Sequence, residues 1–133
     1  MATPTADQLN SVPLLAGLSD QDRAALAARF EVDEFPPGKD IVTEGRTGYA
    51  FYVVAEGQVQ IAQDGVPLRV LGPGEHFGEI AILGEGRRTA TATAVTRVST
   101  WTLFGTEFRS MQIGQPAVAA RLVQAMQDRL TSS

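Results

Sequence analysis

Apolar residues recur along this chain in two rhythms, and the rhythm changes twice. Near the start, Ser19-Asp20-Gln21-Asp22 reads as a helix N-terminus, with a hydroxyl N-cap and an acid three residues on. Ala24, Ala25, Leu26, Ala27 and Ala28 then favour a helix of about 10 residues. The preceding apolar run, Val12 to Leu18, is broken by Pro13 and Gly17 and reads as a short packed turn. From Phe30 to Phe104 the period shortens to short β-type runs between glycine-containing turns, which predicts a sandwich or barrel. Ile41-Val42-Thr43 is a short strand between the turns Pro36-Pro37-Gly38 and Glu44-Gly45. Phe51-Tyr52-Val53-Val54 is a continuous apolar run, expected as a buried strand ending at Glu56-Gly57. Val59 and Ile61 alternate with Gln58, Gln60 and Gln63, as in a half-buried strand. Asp64-Gly65 is a hairpin signal, since both residues tolerate positive φ, and Val66, Leu68 and Val70 alternate on the return strand. Gly72-Pro73-Gly74 is a further turn, and the Thr- and Val-rich stretches Thr91 to Val98 and Ser99 to Phe104 favour strands. Then the helical period returns. Thr106 to Met111 predicts a short helix, and Pro116 suits the first turn of a last one, along which Val118, Leu122, Met126 and Leu130 form an apolar stripe.

Composition narrows the function. A chain of 133 residues, 44% hydrophobic and 20% charged, is expected to form one soluble globular domain. No apolar stretch approaches the roughly 20 residues of a membrane helix, so no membrane insertion is expected. The N-terminus shows no basic region followed by an apolar core, so no secretory signal is visible and a cytoplasmic location is expected. The absence of Cys excludes disulfides, thiolate metal sites and a Cys nucleophile. The single His, His76, excludes a metal centre built from several imidazoles, including that of a cupin-type enzyme on a similar barrel. His76 itself reads as a loop histidine satisfied by its neighbours, Trp101 as core or helix packing, and Tyr49 and Tyr52 as barrel residues. A net charge of -4 opposes a broad nucleic-acid footprint.

One stretch, Phe77 to Thr91, interrupts the strand pattern. A glycine, where backbone can approach a ligand closely, is followed by a helix-capable run from Glu79 to Leu83, then by Gly84, Gly86, Arg87 and Arg88. The first amides of a short helix have no internal partner and point outward, and an arginine from the next strand could close an anion site with a charge-assisted pair. Glu79 fits such a site only if it serves something other than the anion, and a sugar hydroxyl is a natural partner for a carboxylate.

These residues resemble the phosphate-binding cassette of cyclic nucleotide-binding domains, as in catabolite-activator-type regulators, cyclic-nucleotide-dependent kinases and cyclic-nucleotide-gated channels. Phe77-Gly78-Glu79-Ile80-Ala81-Ile82-Leu83, a short turn, then Arg88-Thr89-Ala90-Thr91 follow the family pattern without a gap. Arg-Arg-Thr-Ala is closest to hyperpolarisation-activated channels. Gly38, Gly45 and Gly57 fall at the family's strand-turn glycines. The resemblance implies a mainly β fold: a β-roll or jelly-roll barrel over 31–104 with the cassette at 77–91, an N-terminal helical segment over 5–30, and C-terminal helices over 105–133 ending in a lid. It implies that Glu79 accepts from the ribose 2′-hydroxyl and that Gly78 lets backbone lie against the sugar. It implies that the amides of Ile80 and Ala81 bond the cyclic phosphate with Arg88. Thr89 would add a hydroxyl near the phosphate or a guanine amino group, although a purely local role for that hydroxyl stands equally open. Ile61 and Arg69 would border the base. Arg87 replaces the more common Pro and is expected to face solvent. Arg129 shares a helix face with Leu122, Ala125 and Met126, where it could cap the base or act as a solvated helix-end cation.

The implied function is a cyclic nucleotide sensor, with cAMP as ligand and cGMP as the alternative, no other cofactor, no metal and no catalysis. An unknown protein effector, and a monomer or weak dimer, complete the expectation. A domain that keeps the fold but has lost its ligand and acts as a scaffold is the competing reading. Only Thr131-Ser132-Ser133 follow Leu130, so no DNA-binding motif is expected after the lid, and Met1 favours a free-standing receptor or an N-terminal regulatory domain.

Overall fold

The computed structural model describes residues 3–43, 45, 50–83 and 90–132, with the side chains at 80, 81 and 129–132 outside that description. Helix α1 (Ala6–Asn10) is held by a reciprocal capping box: Thr5 Oγ1 accepts from the Gln8 amide at 3.1 Å, and Gln8 Oε1 accepts from the Thr5 amide at 2.8 Å. Helix α2 (Pro13–Ala16) stands where the apolar run predicted a turn, with Pro13 in its first turn. Its terminal carbonyls need donors, and the buried Arg23 guanidinium supplies them. It donates to Leu15 O at 3.3 Å, to Ala16 O at 3.1 Å, and to Leu18 O. Helix α3 (Asp20–Ala27) has eight residues rather than about 10. Ser19 caps it by accepting from the Asp22 amide at 3.1 Å, but only this half of the capping box forms, because the Asp22 carboxylate is engaged elsewhere.

The strands follow: β1 (Glu31–Phe35), β2 (Asp40–Val42), β3 (Ala50–Glu56), β4 (Val59–Gln63), β5 (Val66–Leu71) and β6 (His76–Phe77). After them come the short helix α4 (Ile80–Leu83), then β7 (Thr91–Ala94), β8 (Val98–Phe104), α5 (Gly105–Gly114) and α6 (Pro116–Ser132). The strands form two four-stranded antiparallel sheets, ordered β1-β8-β3-β6 and β2-β7-β4-β5. The fold is therefore mainly β, a jelly roll with flanking helices. Asp64 and Gly65, at φ 51° and 78°, make the tight turn that pairs β4 with β5.

Three expectations are corrected. The stretch from Thr91 stops being a strand at Ala94, because Val95 turns to donate to Gln58 O at 2.9 Å. That turn presses on Gly57, whose φ is 90° and where a Cβ would lie 2.2 Å from Arg97 O, so no side chain fits there. On β5 the alternating Val66, Leu68 and Val70 do not mark a buried face, since all three are more than half exposed on an edge strand with a register irregularity. The helix expected at Thr106–Met111 extends over Gly105–Gly114.

Strand β3 explains the layout of the core. Phe51 and Val53 face a helical cluster with Leu9, Leu15, Leu26, Met111, Leu122 and Met126. Val54, with Tyr52 beside it, faces the barrel interior with Val59, Ile61, Leu71, Ala92 and Ala94. A strand covered on both faces needs apolar residues at every position, which is why its sequence runs rather than alternates. Trp101 packs against the helical cluster, as expected.

Helix α6 packs on α5, α2 and α3. Of its stripe, Leu122 and Met126 are buried and Val118 partly so, while the Leu130 side chain lies outside the described residues. Its charged anchor is Arg121, which donates to Asp22 through Nε at 2.5 Å and Nη2 at 2.8 Å. The hydrogen bond from Arg121 holds the buried Asp22 carboxyl below its ordinary range, against the opposing effect of burial. Arg29 adds a second tie, donating to Glu107 at 2.8 Å and Gln115 at 3.4 Å. No helix among the described residues is long and apolar enough to cross a membrane.

Candidate ligand-binding site

The site is built on the short pairing of β6 with β3. Phe77 lies opposite Tyr52, and their rings stack with centroids 5.0 Å apart and planes 13° apart. The buried Phe77 anchors the start of the cassette to the barrel interior, where Ile61 and Ala92 belong to the same cluster. Gly78 then takes φ 86°, a left-handed turn that redirects the chain within one residue. Glu79 follows, and its carbonyl accepts from the amides of Ile82 and Leu83, each at 2.9 Å, which opens α4. The amides of Ile80 and Ala81 are the first of that helix and have no carbonyl within it to bond. Ile82 is buried in the helical cluster that also holds Leu122 and Met126 of α6.

The Glu79 side chain is half-buried and accepts a hydrogen bond from the His76 imidazole, Nδ1 to Oε1 at 2.7 Å. An ionised carboxylate only accepts, so Nδ1 carries the proton. His76 belongs to β6 rather than to a loop, pairs with Val53, and rests its ring on Phe51 at 5.6 Å. The sequence predicts a histidine satisfied by its neighbours, and the structure identifies the partner as Glu79. The signal lay in the spacing across Gly78, because a left-handed residue lets positions three apart meet outside a helix.

Ile61 and Arg69 face one another across the β4–β5 pair, Ile61 buried in the barrel and Arg69 exposed. The structure thus brings Ile61 and Phe77 into one interior and sets Arg69 at its margin. Arg87, Arg88, Thr89 and Tyr49 lie outside the described residues. Arg129 lies within α6, but its side chain is outside the description. Among the described residues no group of three or more His, Cys, Asp or Glu could hold a metal ion. A separate cleft of about 340 Å³, bordered by Thr3, Arg29, Phe30, Glu31 and Glu107, shares no residue with the cassette, and its arginine is already paired with Glu107.

The family model of the cyclic nucleotide-binding domain matches residues 32–112. The cAMP-dependent protein kinase regulatory subunit of Eremothecium gossypii is 37% identical over 106 residues, covering 79% of this chain and 23% of the relative. The cyclic AMP receptor protein of Thermus thermophilus is 34% identical over 123 residues, 89% of this chain and 57% of the relative. The chain thus spans less than two thirds of the length of either. Among solved structures, the N-terminal domain of a transcriptional regulator from Streptomyces coelicolor A3(2) matches with a TM-score of 0.80 at 35% identity, covering 95% of this chain and 91% of that one.

Proposed function

The chain belongs to the cyclic nucleotide-binding domain family, and on that premise we propose that it is a non-enzymatic receptor for a cyclic nucleotide, cAMP in the first instance, whose occupancy moves α6. One observation carries the reading: Phe77 is buried against Tyr52, Gly78 is left-handed and Glu79 stands at the head of α4, which supports reading this stretch as the sugar-and-phosphate half of a binding cassette. In this reading the Glu79 carboxylate accepts from the ribose 2′-hydroxyl, and the Ile80 and Ala81 amides meet the cyclic phosphate. Arg88 supplies the counter-charge and Thr89 a nearby hydroxyl. Ile61 and Arg69 border the base, and Arg129 is the candidate cap from α6. The names of the kinase regulatory subunit and the cyclic AMP receptor protein favour cAMP over cGMP.

Signal transfer follows from the packing. Helix α4 packs on β3 and α5, α5 packs on α6, and Ile82 belongs to the same cluster as Leu122 and Met126, so in this reading a shift of α4 reaches α6 through α5. A ligand moves that equilibrium only through its difference in affinity for the two arrangements.

Thermal unfolding tests the proposal. Saturating cAMP should raise the Tm of the wild type, by about 2.7 kcal/mol of added stability at a hundredfold excess over Kd. At the same cAMP concentration Arg88→Ala should cut that stabilisation to about 0.4–1.4 kcal/mol, because losing a charge-assisted contact of about 1.5–3 kcal/mol lowers affinity roughly tenfold to a hundredfold. If neither cAMP nor cGMP raises the wild-type Tm, the receptor reading fails and the scaffold reading replaces it.

A further inference from the structure

We propose that His76 is a positioning residue for sugar recognition: its imidazole holds one oxygen of Glu79 so that the carboxylate presents its other oxygen to the ribose 2′-hydroxyl. The inference rests on the reading of Glu79 as the sugar ligand and adds to it a residue that makes no contact with the nucleotide.

The geometry is specific. The Nδ1–Oε1 distance of 2.7 Å is that of a charge-assisted hydrogen bond, and both side chains are largely sheltered, at 19% and 28% exposure. Among the described residues the imidazole is the one hydrogen-bond partner of this carboxylate. The ring is itself held, by the pairing of His76 with Val53 and by Phe51, which is fully buried. Neighbouring residues of a strand point to opposite faces, and here they do so with consequence. Phe77 enters the barrel interior, while His76 lies on the helical face with Phe51. The imidazole therefore grips Glu79 from the helical side and leaves the barrel side to the sugar. An unbraced glutamate has three rotatable side-chain torsions to freeze when it meets a hydroxyl. A braced one has surrendered that freedom on folding, and the binding cost falls accordingly.

The test uses the intact chain and two probes, cAMP and 2′-deoxy-cAMP, which differ only in the hydroxyl that Glu79 would bind. Calorimetric titration of the wild type should show a clear preference for cAMP. His76→Phe keeps the ring contact with Phe51 but removes the donor. It should cut cAMP affinity roughly twofold to tenfold, the cost of immobilising one rotamer-rich side chain on binding, while changing 2′-deoxy-cAMP affinity less than about twofold. His76→Asn, which can place an amide N–H near the lost Nδ1, should recover most of the preference. In Glu79→Gln the effect of His76→Phe should disappear. Full retention of the preference in His76→Phe, or a gain in it, overturns the proposal. So does a wild type that binds both nucleotides equally, although the receptor reading would survive that result. A wild type that binds neither overturns the receptor reading, and this inference with it. Should His76→Phe not fold, the wild type still decides. His76 is the one histidine of the chain, so its imidazole ¹⁵N resonances are unambiguous. They should report a proton on Nδ1 and respond more to cAMP than to 2′-deoxy-cAMP; a proton on Nε2 alone would refute the brace.

Discussion

The two faces of β3 look onto interiors of different make-up. On the helical side, Phe51 and Val53 meet long, many-rotamer side chains: Leu9, Leu15, Leu26, Met111, Leu122 and Met126. On the barrel side, Val54 meets valines and alanines carried on strands, with Ile61, Leu71 and Phe77 as the larger members. Two buried threonines, Thr100 and Thr102, bond each other there at 2.9 Å. Leu and Met repack readily when a neighbouring helix shifts, whereas short side chains on hydrogen-bonded ladders keep the spacing their sheets impose. The barrel is the half suited to holding a ligand of fixed shape, and the helical half is the one suited to moving. In the proposed function the cassette joins them, since Phe77 belongs to one interior and Ile82 to the other.

Substitutions can be chosen to act on one interior at a time. Phe51→Ala strikes the helical side and removes a ring that contacts both Phe30 and His76. It should cost about 3–5 kcal/mol in urea unfolding, as for a fully buried aromatic. Asp22→Asn should come next. Asp22 is 4% exposed and carries the two hydrogen bonds that tie α3 to α6. Weakening a buried carboxylate's partnership should cost about 1–3 kcal/mol near neutral pH. The sign with pH follows from the lowered carboxyl of Asp22, caused first by the Arg121 hydrogen bond. Its contribution is complete above the unfolded value of about 3.9 and fades as pH falls through the folded value below that. The gap between wild type and Asp22→Asn should therefore hold from neutral pH down to about pH 4 and close at lower pH. Unfolding midpoints across that range would check this, and a gap that widened in acid would refute it. Ile61→Val, on the barrel side, should cost only about 0.5–1.5 kcal/mol. In titrations its effect on cAMP affinity should exceed that of Asp22→Asn, whose site is remote from the cassette. The reverse order would show that the anchoring of α6, rather than the barrel wall at Ile61, dominates affinity.

Much of this architecture could be read from local sequence. The Asp64-Gly65 turn, the Pro116 helix start and the unbroken run of β3 each follow from backbone preferences or coverage that need no distant partner. Other features depended on partners far along the chain. Strand β1 reads Glu-Val-Asp-Glu-Phe and shows little β character until β8 pairs with it. Asp22 looked like the second half of a capping box, and only the fold brings Arg121 to it. Helix α1 carries its capping signal in Thr5 and Gln8, but five residues are too few to show a helical period. The Phe77-Gly78-Glu79 run, which carries the family resemblance, was legible because its residue types follow one another directly, while the hydrogen bond between His76 and Glu79 was not, because it depends on the turn at Gly78. The exposure of Val66, Leu68 and Val70 shows the limit of alternation, which states a strand's period but not which face meets a core.

The alternation within β3 has a practical consequence. Phe51 and Tyr52 are adjacent in sequence yet belong to separate interiors. A fluorine label on the ring of each would give two probes one residue apart that sense different halves of the domain. A signal reaching 52 before 51 would give the direction of travel from pocket to helices. The strand that divides the molecule would then serve as the instrument for timing communication across it.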